Sequence, residues 1–164
     1  MSTPSYSDAF LRRILAETRT IAVVGISINE IRPSWYVGRY LDRKGYRVLP
    51  VNPRYAGESL FGQTVLAGLD AIPGAAGPVQ MVDIFRRSEE AGAVVEEAID
   101  HLLPLGLRTI WMQIGVADEA AAARAEAAGL AVVMNRCPKI EHQRLFGDLR
   151  RAGFNTGIIS SRRG

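Results

Sequence analysis

Small, hydroxyl-bearing and cationic residues cluster where the chain leaves an apolar run. Gly25 and Ser27 follow Ile21-Ala22-Val23-Val24, Arg32-Pro33-Ser34 comes a few residues later, and Asn52-Pro53-Arg54 follows Tyr46–Val51. The chemistry such a set can do is anion binding. The first N–H groups of a helix lack intrahelical partners and sit at the positive end of its dipole, so a phosphate there gains hydrogen bonds and a favourable field. Gly25 keeps side-chain bulk away from the backbone, Ser27 and Ser34 can donate hydroxyls, and Arg32 adds a full charge. The plain alternative is that a parallel α/β protein needs a tight turn after its first strand, and glycine only turns the chain.

The dinucleotide fingerprint is broken. Gly25-Ile26-Ser27-Ile28-Asn29-Glu30 supplies only the first glycine of G-x-G-x-x-G. A dinucleotide site also wants an Asp or Glu near the end of the second strand to accept the ribose 2′-hydroxyl, and the tip here is Asn52-Pro53-Arg54. A cation in that place suits a phosphorylated ribose. Arg54 otherwise reads as a solvated loop arginine.

The elements that must position these residues alternate regularly. Phe10, Leu11, Ile14 and Leu15 give helical spacing for a helix opened by Ser7-Asp8 and running to Glu17, after a loose tail over residues 1–6. Ile21–Val24 is unbroken apolar sequence, as in a strand buried on both faces. A helix over about 34–44 stops at Gly45, and the second strand is 46–51. Residues 58–77 form a compact excursion in which Leu66, Leu69 and Ile72 cover the sheet. The third strand is 78–85, followed by a helix opened by Ser88-Glu89-Glu90 and ended by Pro104 and Gly106. Strand 109–114, helix 118–128 and strand 130–134 complete the series, and a short helix follows. Alternating strands and helices predict a Rossmann-like α/β three-layer sandwich with a mostly parallel five-stranded sheet, right-handed crossovers, and strand order 3-2-1-4-5. That order sets the first loop at the switch point.

At 164 residues, 48% hydrophobic and 23% charged, the chain has the size and composition of one soluble domain spanning 1–164. The net charge of +3 is spread along the sequence except at Arg12-Arg13, Arg86-Arg87, Arg150-Arg151 and Arg162-Arg163. No aromatic-interleaved basic stripe of a nucleic-acid reader is present, and the excess charge fits a polyanionic small ligand. A lone cysteine, no apolar run of membrane-spanning length and no signal-peptide pattern at the N-terminus lead us to expect a cytoplasmic protein without a membrane partner. Cys137 and His142 raise the question of a thiolate–imidazole pair or a metal site. A metal needs more ligands than Glu141 adds, and the simpler reading makes Cys137 a small buried residue at a strand end. In that reading Ile140 and Leu145 pack while Glu141 and His142 cap or orient a loop. Trp111 and Phe146 read as core, with a subunit interface of a homo-oligomer as the alternative.

The motifs GIS, RPS, GYRVLPVNPRYAGESLFG, VDIFRRSEE, WMQIGV and AGLAVVMNRCPKIEH, in this order over about residues 8–148, resemble the small stand-alone CoA-binding proteins. These are similar in turn to the N-terminal CoA-binding domain of succinyl-CoA synthetase α subunits. The resemblance implies that coenzyme A is the ligand, with Gly25, Ile26, Ser27, Arg32, Pro33 and Ser34 around the pyrophosphate. It implies Asn52, Pro53, Arg54 and Tyr55 at the 3′-phospho-adenosine end. Phe85, Arg86, Met112 and Gln113 would form the remaining walls, with an apolar channel along Phe85 and Met112 for the pantetheine arm. The ligase chemistry of the synthetases needs a phosphorylated histidine in a second domain and a partner subunit, so it is not carried over. The expected function is a carrier, sensor or regulatory module that holds CoA or an acyl-CoA without catalysis. The alternatives are an enzyme using the CoA thiol with Cys137 or His142, and an NAD(P)-binding oxidoreductase.

Overall fold

The apolar run at Thr20–Val24 forms β1, buried at every position, because it lies at the centre of a sheet covered on both faces. The structure is a computed structural model that describes residues 4–147. Five parallel strands pair side by side: β1, β2 (Arg47–Val51), β5 (Met81–Ile84), β6 (Thr109–Met112) and β7 (Ala131–Val133). Two short strands, β3 (Ser59–Leu60) and β4 (Gln63–Thr64), make a separate antiparallel ladder inside the excursion after β2.

Alternation along the central strands divides the core between two helical layers. Ala22 and Val24 of β1, with Val82 and Ile84 of β5, face α3 (Ser88–Leu102) and α4 (Glu119–Ala127). Small residues at Ala91, Ala98, Ala121 and Ala125 let these helices lie close to the sheet. Ile21 and Val23, with Met81 and Trp111, face α1 (Asp8–Glu17), α2 (Pro33–Arg43) and α5 (Pro138–Phe146). Trp111 is fully buried, and Phe146 packs on the same cluster. Leu69 and Ile72 of the excursion are buried in the first layer, with Leu66 packed against it.

The Rossmann-like architecture matches the expectation, and the strand order differs from it. The observed order is β2-β1-β5-β6-β7, or 2-1-3-4-5 when only the strands of this sheet are counted. The third strand lies beside β1, with Ile21 opposite Met81 and Val24 opposite Ile84, and not beyond β2. Two features account for this. All four residues of β5 are buried, as suits an interior strand. Pro50 lies inside β2 and brings no N–H to a second ladder, which confines β2 to the edge, where a bridge pairs Val51 with Leu66. The chain leaves β1 toward β2 on one side and reaches β5 on the other, so the loop after β1 still lies at the point where the sheet changes direction.

Tail residues 4–6 are fixed and not loose. The Tyr6 hydroxyl accepts from the Met134 N–H at 2.8 Å, and the Arg136 guanidinium donates to Pro4 O at 2.6 Å and lies over the Tyr6 ring. Residues 1–3, the arginine pairs at 150–151 and 162–163, and the end of the segment after Gly147 lie outside the described residues.

Candidate functional site

All parallel strands release their loops at one edge of the sheet, and there the ends of β1, β2, β5 and β6 surround a cleft of about 1090 Å³. Its floor is fixed by backbone. Gly25 turns off β1 at φ 92°, and its N–H donates to Val51 O at 2.8 Å. A Cβ on Gly25 would lie 2.0 Å from the Phe85 carbonyl oxygen, so only glycine lets the β1 and β5 exits run this close.

The next loop is tied to α2 and to the end of β2. The Ser27 N–H donates to Ser34 Oγ at 2.9 Å, and the Asn29 N–H donates to Ser27 Oγ at 2.9 Å. Both serine hydroxyls accept from the backbone, which leaves each with its proton to donate. Asn52, 7% exposed, joins the two candidate phosphate loops: its Nδ2 donates to Ile26 O at 2.9 Å and its Oδ1 accepts from the Arg54 N–H at 3.0 Å. Arg32 occupies the N-cap of α2 without a side-chain hydrogen bond, Pro33 is the first helical residue, and Ser34 lies within the first turn. Proline removes one of the orphan donors, and the Trp35 N–H turns back to Arg32 O at 3.0 Å. The helix start therefore presents fewer free N–H groups than the sequence implies, and the hydroxyls and arginines carry more of the anion-binding capacity.

Twelve of the fourteen expected site residues line the cleft. Ile26 and Met112 do not. Ile26 is fully buried in the layer with α2, where Gly38 gives it room, and it contributes only its carbonyl to the loop. Met112 is fully buried on the α3/α4 side, because alternation at the end of β6 points it away. Gln113 and Ile114 take its place on the wall.

The sequence reading missed Arg87, Lys139, Tyr36, Ile114 and Ile140, which also line the cleft. The signal for Lys139 was the one used for Arg32: Cys137-Pro138 opens a helix just beyond a strand end. Arg32, Arg54, Arg86, Arg87 and Lys139 thus stand around one cleft whose lining, among the described residues, holds a single carboxylate, Glu90. Glu90 lies 3.6 Å from Arg87, an exposed pair that neutralises little of the field.

Cys137 and His142 are not brought together around the cleft. Cys137, 5% exposed, lines it from the start of α5, beyond the end of β7. His142 belongs to a different hollow with Lys44 and Tyr46, shares a 2.8 Å hydrogen bond through Nδ1 with the Tyr40 hydroxyl, and packs against the Tyr46 and Phe146 rings. Burial, with the nearby Lys44 charge, lowers its pKa below the ordinary imidazole value. Glu141 accepts from Arg144 at 2.8 Å, and Arg144 also donates to Asp8 at 2.8 Å, so these groups fasten α5 to α1. Leu145 packs inward as expected, whereas Ile140 is 48% exposed at the cleft mouth. Among the described residues no three His, Cys, Asp or Glu side chains gather as metal ligands.

The family model for the CoA binding domain matches residues 19–143. The chain belongs to this family. The CoA-binding domain so defined contains every cleft residue named above, from Gly25 to Ile140. The uncharacterised protein YneT of Bacillus subtilis is 32% identical over 142 residues, covering 87% of this chain and 97% of its own. A solved protein from Thermus thermophilus is 39% identical with a TM-score of 0.77, covering 86% of this chain and all of that one. A hypothetical protein from Pyrococcus horikoshii, 33% identical with a TM-score of 0.78, covers 90% of this chain and all of its own. Among the described residues no helix is long and apolar enough to cross a membrane.

Proposed function

We propose that the cleft holds coenzyme A or an acyl-CoA without covalent chemistry, and that the protein serves as a carrier, sensor or regulatory module. The observation that carries this reading is that, among the described residues, five cationic side chains face one carboxylate around the cleft at the switch point of the sheet. CoA carries phosphate at two places, a diphosphate and a ribose 3′-phosphate. In this reading the diphosphate meets Ser27, Ser34 and Arg32 at the start of α2. Arg54, on the loop held by Asn52, meets the 3′-phosphate, and Tyr55 lies beside the adenine. Charge-assisted contacts of this kind contribute roughly 1.5 to 3 kcal/mol each. The alternative enzyme needs a base beside the Cys137 thiol, and the histidine considered for that task faces a separate hollow.

Titration calorimetry with CoA, dephospho-CoA and NADP tests the reading. CoA should bind tightest and dephospho-CoA more weakly, with NADP weakest of the three. A clear preference for NADP would overturn it in favour of the oxidoreductase alternative.

A further inference from the structure

Gln113 stands at the exit of β6 with its backbone fixed on both sides: its N–H donates to Ile84 O at 3.2 Å and its carbonyl accepts from the Val116 N–H at 2.8 Å. Gln113 lines the cleft although it is only 7% exposed. The carboxamide oxygen is enclosed and accepts no hydrogen bond from any described group. A buried acceptor without a donor is unfavourable, and native proteins rarely keep one unless something outside the chain completes it.

The surroundings narrow what that something is. Ile114 and Ile140, 57% and 48% exposed, line the same cleft, Phe85 is the neighbouring strand-end residue, and Arg86, Arg87 and Lys139 line it too. Arg32 follows β1 and Arg54 follows β2, whereas Gln113 ends β6, two strand positions from β1 in the opposite direction. At the usual strand spacing that is roughly 10 Å. A phosphate oxygen has no proton to donate to an amide oxygen, so the group that completes Gln113 is a ligand portion that carries an N–H donor, about that far from the phosphates at Arg32 and Arg54. An amide-bearing chain of methylenes supplies such a donor, and in the CoA reading the adenine amino group lies at the other end of the cleft, beside Tyr55.

Resting on the CoA reading, we propose that Gln113 Oε1 accepts a hydrogen bond from an amide N–H of the pantetheine arm. Gln113 then makes the arm, and not the nucleotide alone, a determinant of specificity.

The test compares CoA with adenosine 3′,5′-bisphosphate, which lacks the arm, on the wild-type chain and on Gln113→Met. Methionine keeps the length and unbranched shape of the side chain and removes the acceptor. The variant should lose about tenfold in CoA affinity and keep its affinity for the bisphosphate, which also reports that the cleft is intact. Equal loss for both ligands, or no loss for CoA, overturns the assignment. So does a wild-type chain that binds both ligands equally, although CoA binding itself would then stand. A wild-type chain that binds no CoA removes the reading on which the assignment rests.

Discussion

The Arg54 N–H is held by Asn52 Oδ1 at 3.0 Å, while its guanidinium lies over the Tyr55 ring, 5.5 Å from the centroid. The loop is thus fixed by a buried amide, and the charged head stays exposed at the cleft wall. Replacing Arg54 with alanine removes the head and leaves the Asn52 bonds, which involve only backbone partners. Arg54→Ala should therefore weaken CoA about tenfold, because an exposed charge contact lies at the lower end of the usual range, and shift dephospho-CoA by less than about twofold. Calorimetric titration of both ligands reads the difference, and equal losses would sink the 3′-phosphate assignment. Arg54 was legible in the sequence because it sits directly after a strand end. Lys139 was legible by the same rule, as it follows a proline that opens a helix just beyond a strand end, whereas Arg87 was not, because its approach to the cleft depends on where α3 begins relative to the sheet.

The loop after β1 works only because β1, β2 and β5 leave the sheet together. The Gly25 N–H takes Val51 O, the Phe85 N–H takes Val24 O at 2.8 Å, and the Phe85 carbonyl fills the space where a Gly25 side chain would go. Gly57 provides the control: its φ of 93° matches the 92° of Gly25, yet a Cβ there meets nothing within 4 Å. Gly57→Ala should cost about 1 kcal/mol for the left-handed backbone alone, and Gly25→Ala at least about 2 kcal/mol more, together with a marked loss of CoA affinity. Urea unfolding of the two variants measures the gap, and equal destabilisation would show that the β1 and β5 exits are free to part. The five parallel strands could be read from their apolar runs. The position of the third could not, since periodicity says which residues are buried and not which neighbour buries them. Pro50 was the clue, because a proline inside a strand marks it as an edge. Met112 lies in the core and not on the cleft lining for a related reason, since a residue at a strand end faces the cleft or the core according to alternation that one position reverses.

The middle of the sheet contains a group that makes the stability of the protein depend on pH. Asp83 is fully buried on β5, opposite Val23 and Trp111, and among the described residues neither carboxyl oxygen has a hydrogen-bond partner. The Trp111 indole N–H is engaged elsewhere, with Arg136 O at 2.9 Å. Desolvation by burial pushes the Asp83 carboxyl well above the ordinary carboxylate value, so the folded protein keeps the proton. In the unfolded chain the same group ionises near its usual value of about 3.9. Above that pH the folded state binds more protons than the unfolded state, and stability falls as pH rises until the folded group itself ionises. The slope in this window reaches about 1.4 kcal/mol per pH unit. Asp83→Asn has nearly the same shape and cannot ionise, so it removes this slope while the other titrating groups, His142 included, remain common to both proteins. Urea midpoints measured for both chains between about pH 4.5 and 8 should diverge, with the variant gaining steadily on the parent as pH rises. Parallel curves would mean that the carboxyl is as free to ionise in the folded sheet as in the open chain, and that the centre of the sheet is reached by water or by a compensating charge.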